Sequence, residues 1–325
     1  MSRLNGVVIG LGGQSIGDHI PALLANEDVL IVGVMDVNPM AVADFHSTFP
    51  VLAQVPSFVS VSEMLDQVRP DFAVVAVPHH LYVPIVAELC RRNIPFLKEK
   101  PLARSLEEAE QLRQLPNFDQ CAFVATQRRF SGLYSMAWQG LARIGTPYLF
   151  TGEYKLNIAD PHTGWRGQRE LAGGGCLIDM GYHIVDQLTW WFNGLPSSVH
   201  ANVSALAVPG AAYTAEDSAT VSFRYPSGLH GTLTISRRAG AKKEGYEVYG
   251  TDGYIVGSKK GAVIFDRAGT ILQELGPDEE DMIAAQLRFF LARVRDGLSF
   301  GDTLEDHMRN MRFIDLCYRT ALVND

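Results

Sequence analysis

Lys100 stands immediately before a proline at the end of an apolar segment, Ile94-Pro95-Phe96-Leu97-Lys98-Glu99-Lys100-Pro101. A cation at the end of a buried strand can hold a hydroxyl and stabilise alkoxide character as hydride leaves the carbon that bears it. Burial beside another positive charge would also lower its pKa and suit it to proton exchange. The plainer reading is a solvated lysine in a charged turn, flanked by Lys98 and Glu99. A second set of residues weighs against that reading. Gly173-Gly174-Gly175 opens a segment that predicts one helix over 176–192, in which Asp179 and His183 stand at i, i+4 and share a face. Asp186 and Trp190 continue the stripe, while Ile184, Val185, Leu188 and Trp191 cover the opposite side. His183 is the candidate general base, because an imidazole titrates near neutral pH. Asp179 would hydrogen-bond substrate hydroxyls and orient the lysine or the histidine. Which of Lys100 and His183 takes the proton stays open at this level.

These groups need elements to hold them. Val7-Val8-Ile9 runs directly into Gly10-Leu11-Gly12. The first glycine permits a tight turn and the second lets backbone approach a pyrophosphate seated at the next helix N-terminus. A strict fingerprint would place its third glycine at position 15, which is Ser15, with Gly13 and Gly17 to either side. A one-residue insertion before a helix over 19–26 would produce that offset. Asp36 ends the next apolar run, 24–26 residues after the glycines, where a carboxylate binds the adenosine ribose hydroxyls. It also repels a 2′-phosphate, so NAD is expected and NADP disfavoured. The expected cofactor contacts are Gly10, Gly12, Gly13, Ser15, Ile16, Asp36, Val37, Pro78, Glu99 and Lys100.

Further buried strands are expected at 71–77, 94–97 and 122–125, with helices at 40–48, 83–92 and 105–115. Continuous apolar strands separated by helices imply a parallel sheet covered on both faces, hence a doubly wound α/β domain over residues 1–125. Beyond it the texture changes to short strands near 147–157, 198–208, 217–225, 229–236, 245–250, 253–257, 261–266 and 270–274. With closing helices at 279–296 and 303–322, residues 126–325 read as an α+β domain on a large, mostly antiparallel open sheet.

Composition bounds the partners. The 325 residues are 47% hydrophobic and 20% charged, with net charge −8. That balance excludes a chain built mainly to grip nucleic acid, which needs a basic footprint. No stretch approaches the roughly 18–20 apolar residues that cross a bilayer, and the N-terminus has no signal-peptide pattern. Cys90, Cys121, Cys176 and Cys317 form no C-x-x-C pair and no zinc spacing, so reduced buried thiols in a cytoplasmic protein, without metal, are expected.

The chain resembles the Gfo/Idh/MocA family, which includes inositol dehydrogenases and glucose–fructose oxidoreductases. The resemblance covers nearly the whole chain and is carried by several segments in order. They are Gly10-Leu11-Gly12, Asp36-Val37-Asn38-Pro39, Val77-Pro78, Glu99-Lys100-Pro101, Arg129-Phe130, Trp165-Arg166, and the run from Gly173 through Asp179 to His183. The loop after Pro78 departs from the family pattern, with Tyr82 where a histidine is usual. The resemblance implies Lys100, Asp179 and His183 as the reacting set and a sugar, inositol or related polyol, free, phosphorylated or nucleotide-linked, as substrate. It implies a homodimer or homotetramer through the open sheet. Trp165 and Arg166 would close over nicotinamide or substrate. Tyr154 and Asn157 would bind substrate, and Lys155, Arg237, Arg238 and Lys243 could line the pocket. Two other outcomes share the fold: NAD-dependent glycoside cleavage through transient oxidation, and a catalytically silent NAD-binding regulator.

Overall fold

The computed structural model describes residues 2–277 and 281–323. They form two compact units. The first carries a six-stranded parallel sheet of β1 (Leu4–Ile9), β2 (Val29–Met35), β3 (Ser57–Phe58), β4 (Phe72–Val75), β5 (Phe96–Lys98) and β6 (Ala122–Val124). The strand order is β3-β2-β1-β4-β5-β6, the doubly wound arrangement. Strands β4, β5 and β6 are buried at every position, as a sheet covered on both faces demands.

The division expected after residue 125 separates the two sheets, but the first unit also takes in Ile283–Glu305. Helix Met282–Asp296 lies against this sheet, with Phe290 meeting Phe72 edge-on at 5.7 Å and stacking near Phe123 at 5.9 Å. The buried Gln286 accepts the Thr126 N–H at 2.7 Å, which satisfies the backbone just past β6. Of the helix expected over 279–296, residues 279 and 280 lie outside the described residues. Helix Val61–Val68, capped by Ser60, joins this unit without having been anticipated from the sequence.

The second unit carries a nine-stranded sheet of β7 (Pro147–Asn157), β8 (Ser198–Ser204), β9 (Ser218–Arg224), β10 (His230–Ser236), β11 (Arg238–Gly250), β12 (Gly253–Ser258), β13 (Gly261–Asp266), β14 (Ile271–Leu275) and β15 (Leu322–Val323). Its order is β14-β13-β12-β11-β7-β10-β9-β8-β15. Only the β10–β7 and β15–β8 pairs are parallel. Three expectations are corrected here. β11 begins at Arg238 rather than 245, with an irregular register between Arg238 and Lys243. The last helix ends at Thr320, and Leu322–Val323 pairs with β8 instead of continuing it. Helix Gly132–Gly140 was not foreseen.

The helix expected over 176–192 is two pieces, Cys176–Asp179 and Tyr182–Trp191. Backbone angles stay helical at Met180 and Gly181, but the Gly181 N–H reaches back five residues to Cys176, so the turn is widened rather than broken. Asp186 also departs from the expected polar stripe. It is buried, paired in two-pronged fashion with Arg129 at 2.7 and 3.0 Å, and accepts the Asn310 amide at 2.7 Å. Burial opposes its ionisation, yet the Arg129 charge and these hydrogen bonds hold it below the ordinary carboxylate range. Asp306 is a second partner of Arg129.

Asp186→Ala leaves Arg129 buried with one carboxylate fewer and should cost about 3 kcal/mol in urea unfolding near neutral pH. Because the folded pKa of Asp186 is depressed, this stabilisation is complete above the unfolded value of about 3.9 and is lost as pH falls through the folded value. The gap between wild type and variant should therefore narrow in acid.

Candidate functional site

One group of candidate residues is built around the end of β1. Gly10 has φ +90°, and a side chain there would lie 2.3 Å from the Ala76 carbonyl oxygen, so only glycine fits. Gly12 and Gly13 are different. A side chain at either would meet nothing, so the backbone on that side is open to a ligand. The helix begins at Gly13, six residues before the expected start, and contains a π turn over Ser15–His19. A π turn accommodates one more residue than an α turn. The offset third glycine is thus absorbed inside the helix rather than in the loop. Ser15, in place of that glycine, is buried and donates to the Gly10 carbonyl at 2.6 Å.

Asp36 follows β2 and accepts the Leu11 N–H at 2.8 Å through one oxygen and the Asn38 N–H at 2.8 Å through the other. Each oxygen keeps a lone pair for a further donor. Val37 beside it is exposed, and Ile16 and Pro78 are half-buried. An open glycine backbone at a helix start, with an acidic strand end beside it, fits a dinucleotide. The amides of the first helical turn lack partners within the helix and would take the pyrophosphate, and Asp36 would take the ribose.

The turn after β5 carries Glu99 and Lys100. His19, at the end of the π turn, is 2.9 Å from a Glu99 carboxylate oxygen, and both are largely buried. Burial raises the Glu99 pKa, but the His19 hydrogen bond and the charges of His19, Lys100 and Lys98 bring it net below the usual carboxylate value. Lys98, which the plainer reading places in a charged, solvated turn, is completely buried. Its Nζ donates to the carbonyls of Glu99 at 2.8 Å, Pro101 at 2.6 Å and Leu102 at 3.2 Å, and lies 3.6 Å from the centre of the Tyr82 ring. Tyr82 accounts for its departure from the family pattern: its buried ring supports Lys98, stacks on His79 and directs its hydroxyl to the Lys100 carbonyl at 3.4 Å. Neither Lys98, Tyr82 nor His19 was singled out from the sequence as a site residue.

A second group of candidate residues lies in the other unit. Each residue of Gly173-Gly174-Gly175 meets a different neighbour. Side chains there would sit 2.3 Å from the Arg104 carbonyl oxygen, 1.9 Å from the Tyr318 hydroxyl and 2.0 Å from the Glu216 carbonyl oxygen. The buried Glu216 then fixes the following helical turn. Its backbone carbonyl accepts the Cys176 N–H at 2.8 Å, and its carboxylate accepts the Leu177 N–H at 3.0 Å and the Tyr318 hydroxyl at 2.8 Å. Of residues 176–191, only Asp179, His183 and Trp190 keep partial exposure. The widened turn leaves Asp179 and His183 accessible, while Asp186 is drawn inward.

Arg166 approaches Asp179 at 3.8 Å and packs over Trp165 at 4.3 Å. Tyr154 on β7 lies 6.2 Å from the His183 ring. The structure thus brings Arg166 to Asp179 and Tyr154 to His183. It does not bring Asn157 to them. Strand alternation puts Asn157 on the other face of β7 from Tyr154, exposed and accepting from Arg238 at 3.2 Å. Arg237 is a scaffold residue rather than a pocket lining. It is buried and donates to the Arg166 carbonyl at 3.0 Å and the Ala215 carbonyl at 2.9 Å, which anchors the Trp165–Arg166 loop. Lys155 and Lys243 both pair with Glu153, at 2.7 and 2.6 Å. Arg128, not foreseen, is buried against Glu244 at 2.6 Å with its guanidinium 5.5 Å from the Tyr154 ring. All four cysteines are buried free thiols, and no helix among the described residues is long and apolar enough to cross a membrane.

Gly175→Ala drives a side chain against backbone that cannot move aside. It should cost about 2–3 kcal/mol in denaturant unfolding, placing it among the large single-site effects. A loss under about 0.5 kcal/mol, the range of ordinary surface changes, would contradict this packing.

Comparison with known proteins adds the following. Residues 4–126 match the oxidoreductase family described by its NAD-binding Rossmann fold, and residues 142–256 match the GFO/IDH/MocA C-terminal domain. The chain is 24% identical over 262 residues to the rhizopine catabolism protein MocA of Rhizobium meliloti, covering 78% of this chain and 76% of that protein. It is 27% identical over 217 residues to levoglucosan dehydrogenase of Pseudarthrobacter phenanthrenivorans, covering 58% and 55%. The curated relatives are matched over 50% to 76% of their own length. Among solved structures, levoglucosan dehydrogenase with NADH and levoglucosan superposes with TM-score 0.85 at 20% identity, covering 98% and 97% of the two chains. KijD10, a 3-ketoreductase from Actinomadura kijaniata with NADP and TDP-benzene, superposes with TM-score 0.87 at 17% identity over 99% of each chain.

Proposed function

The chain belongs to the GFO/IDH/MocA family, and from that premise we propose that it is an NAD-dependent dehydrogenase acting on a carbinol carbon of a sugar, inositol or related polyol. The observation that carries the reading is the turn after β5. It holds Lys100 between pinned peptide groups, beside an ionised Glu99. Relatives named for levoglucosan and 1,5-anhydro-D-fructose chemistry support a sugar-type substrate.

When bound, the nicotinamide supplies the hydride acceptor. The first-turn amides of the helix beginning at Gly13 take the pyrophosphate, and Asp36 takes the adenosine ribose. Lys100 donates to the reacting hydroxyl oxygen and stabilises the alkoxide character that grows as hydride leaves. His183 receives the hydroxyl proton at a ring nitrogen, and Asp179 accepts hydrogen bonds from substrate hydroxyls. Arg166, 3.8 Å from Asp179, orients that carboxylate and adds a donor for a neighbouring hydroxyl. Tyr154 offers an aromatic wall beside His183. NAD is preferred because the Asp36 carboxylate repels a 2′-phosphate. The outer face of the second sheet, where β8, β9 and β10 alternate buried and exposed residues, serves a homo-oligomer.

A panel of free sugars, inositols, sugar phosphates and nucleotide sugars with NAD and NADP, followed at 340 nm, tests the reading. Net NADH formation with at least one member is expected; turnover of a glycoside without net NADH would favour cleavage through transient oxidation. Lys100→Met should lower kcat by at least about 100-fold, the scale of removing a group that stabilises a developing oxyanion, with NADH affinity kept within about threefold. Wild-type turnover in that variant would remove Lys100 from the chemistry. Asp36→Ala should raise the NAD KM and narrow the NAD-over-NADP ratio by about tenfold, equivalent to about 1.4 kcal/mol of lost discrimination. A ratio unchanged in Asp36→Ala would sink the carboxylate's role in cofactor choice.

A further inference from the structure

We propose that Lys98 is a positioning residue for Lys100, acting through the backbone of the turn that joins them. The inference rests on the assignment of Lys100 to the reacting group. The Lys98 ammonium faces three carbonyl oxygens, those of Glu99, Pro101 and Leu102, at 2.8, 2.6 and 3.2 Å. An ammonium has three N–H donors for three acceptors, whereas a neutral amine has two and would leave one buried carbonyl without a partner. Its remaining side rests on the Tyr82 ring face at 3.6 Å, where a cation is favoured and a neutral amine gains little.

The acceptors are placed around Lys100. The Lys98 Nζ holds the Glu99 carbonyl, in the peptide group just before the Lys100 Cα, and the Pro101 and Leu102 carbonyls further along the turn. Tyr82 holds the Lys100 carbonyl itself, and His19 holds the Glu99 side chain. Four contacts therefore hold the backbone carbonyls of four consecutive residues, and a fifth holds the Glu99 side chain. Stability alone does not require this arrangement, because a buried charge is costly and well-packed apolar residues commonly replace one without loss. What an apolar residue at position 98 cannot supply is a donor set that orients these carbonyls, and through them the direction in which the Lys100 side chain leaves the chain. A shift of 1 Å in a reacting group can cost about 100-fold in rate.

The test compares wild type, Lys98→Met and Lys100→Met by amide hydrogen exchange over residues 99–103, NADH fluorescence titration, and steady-state kinetics with a sugar from the panel above. Lys98→Met keeps length and apolar volume but has no donors. Faster exchange at residues 100, 102 and 103 is expected, with NADH affinity and substrate KM within about threefold and kcat lower by about 100-fold. Wild-type kcat in Lys98→Met, or a rise in KM alone, would overturn the inference. If Lys98→Met fails to fold, Lys98→Gln keeps two N–H donors and should show a smaller fall in kcat of the same kind; wild-type kcat there would equally overturn it. An inactive Lys100→Met beside a fully active Lys98→Met rejects the present inference and leaves the site reading intact. An active Lys100→Met rejects both. Were no sugar oxidised, the exchange measurement would decide, and unchanged exchange in the turn would reject the positioning role.

Discussion

The backbone that leaves β5 has to turn at once while still inside the protein. Its strand is flanked on both edges by β4 and β6 and buried on both faces, so carbonyls released by the turn find no water. A buried carbonyl without a donor costs about as much as a lost hydrogen bond or more. A single ammonium answers three of them together, and Tyr82 stabilises that ammonium on its remaining side. Burial pushes the Lys98 pKa well down, with the Glu99 charge acting against it, while the three carbonyls and the ring favour the charged form. The geometry settles the balance toward the ammonium, since only that form satisfies all three acceptors.

The second unit solves the mirror problem with an acceptor side chain. There the chain must start a helical turn after three glycines, and the groups needing partners are N–H donors rather than carbonyls. Glu216 supplies a backbone and a side-chain acceptor for Cys176 and Leu177, and Tyr318 holds the carboxylate. The tight approach of Arg104, Tyr318 and Glu216 explains why positions 173–175 hold no side chains. In each unit a buried polar side chain orders backbone next to a proposed reacting group. Lys100 follows Lys98, and Asp179 follows the segment held by Glu216.

Much of this was legible in residue order. Continuous apolar runs identified the parallel strands, and alternation identified the second sheet, because those periods report burial directly. The i, i+4 spacing of Asp179 and His183 survived the widened turn at Gly181, since both positions keep partial exposure. Other features depend on contacts distant in sequence. Asp186 belongs to the same polar stripe by spacing, but Arg129 and Asn310, from other parts of the chain, draw it inward. Helix Met282–Asp296 joins the first unit through Phe72 and Phe123, which no local pattern encodes. Lys98 carried no such signal: it ends the apolar run and is followed by Glu99 and Lys100, so residue order alone reads it as part of a charged turn.

Asp36 shows how tightly cofactor choice can be tied to fold. Its carboxylate, proposed above to meet the ribose, also accepts the Leu11 N–H inside the glycine turn and the Asn38 N–H that starts the next turn. Exchanging it for a neutral residue to admit a 2′-phosphate would release the Leu11 amide at the point where the chain must stay open for a pyrophosphate. An asparagine could keep one acceptor but not both, because its amide nitrogen cannot accept a hydrogen bond. Cofactor preference at this position is therefore not a freely adjustable surface charge. On the proposed reading, a change of specificity has to rebuild the Gly10–Gly12 turn as well, which ties the electrostatic reason for excluding a phosphate to the backbone reason for keeping an acid.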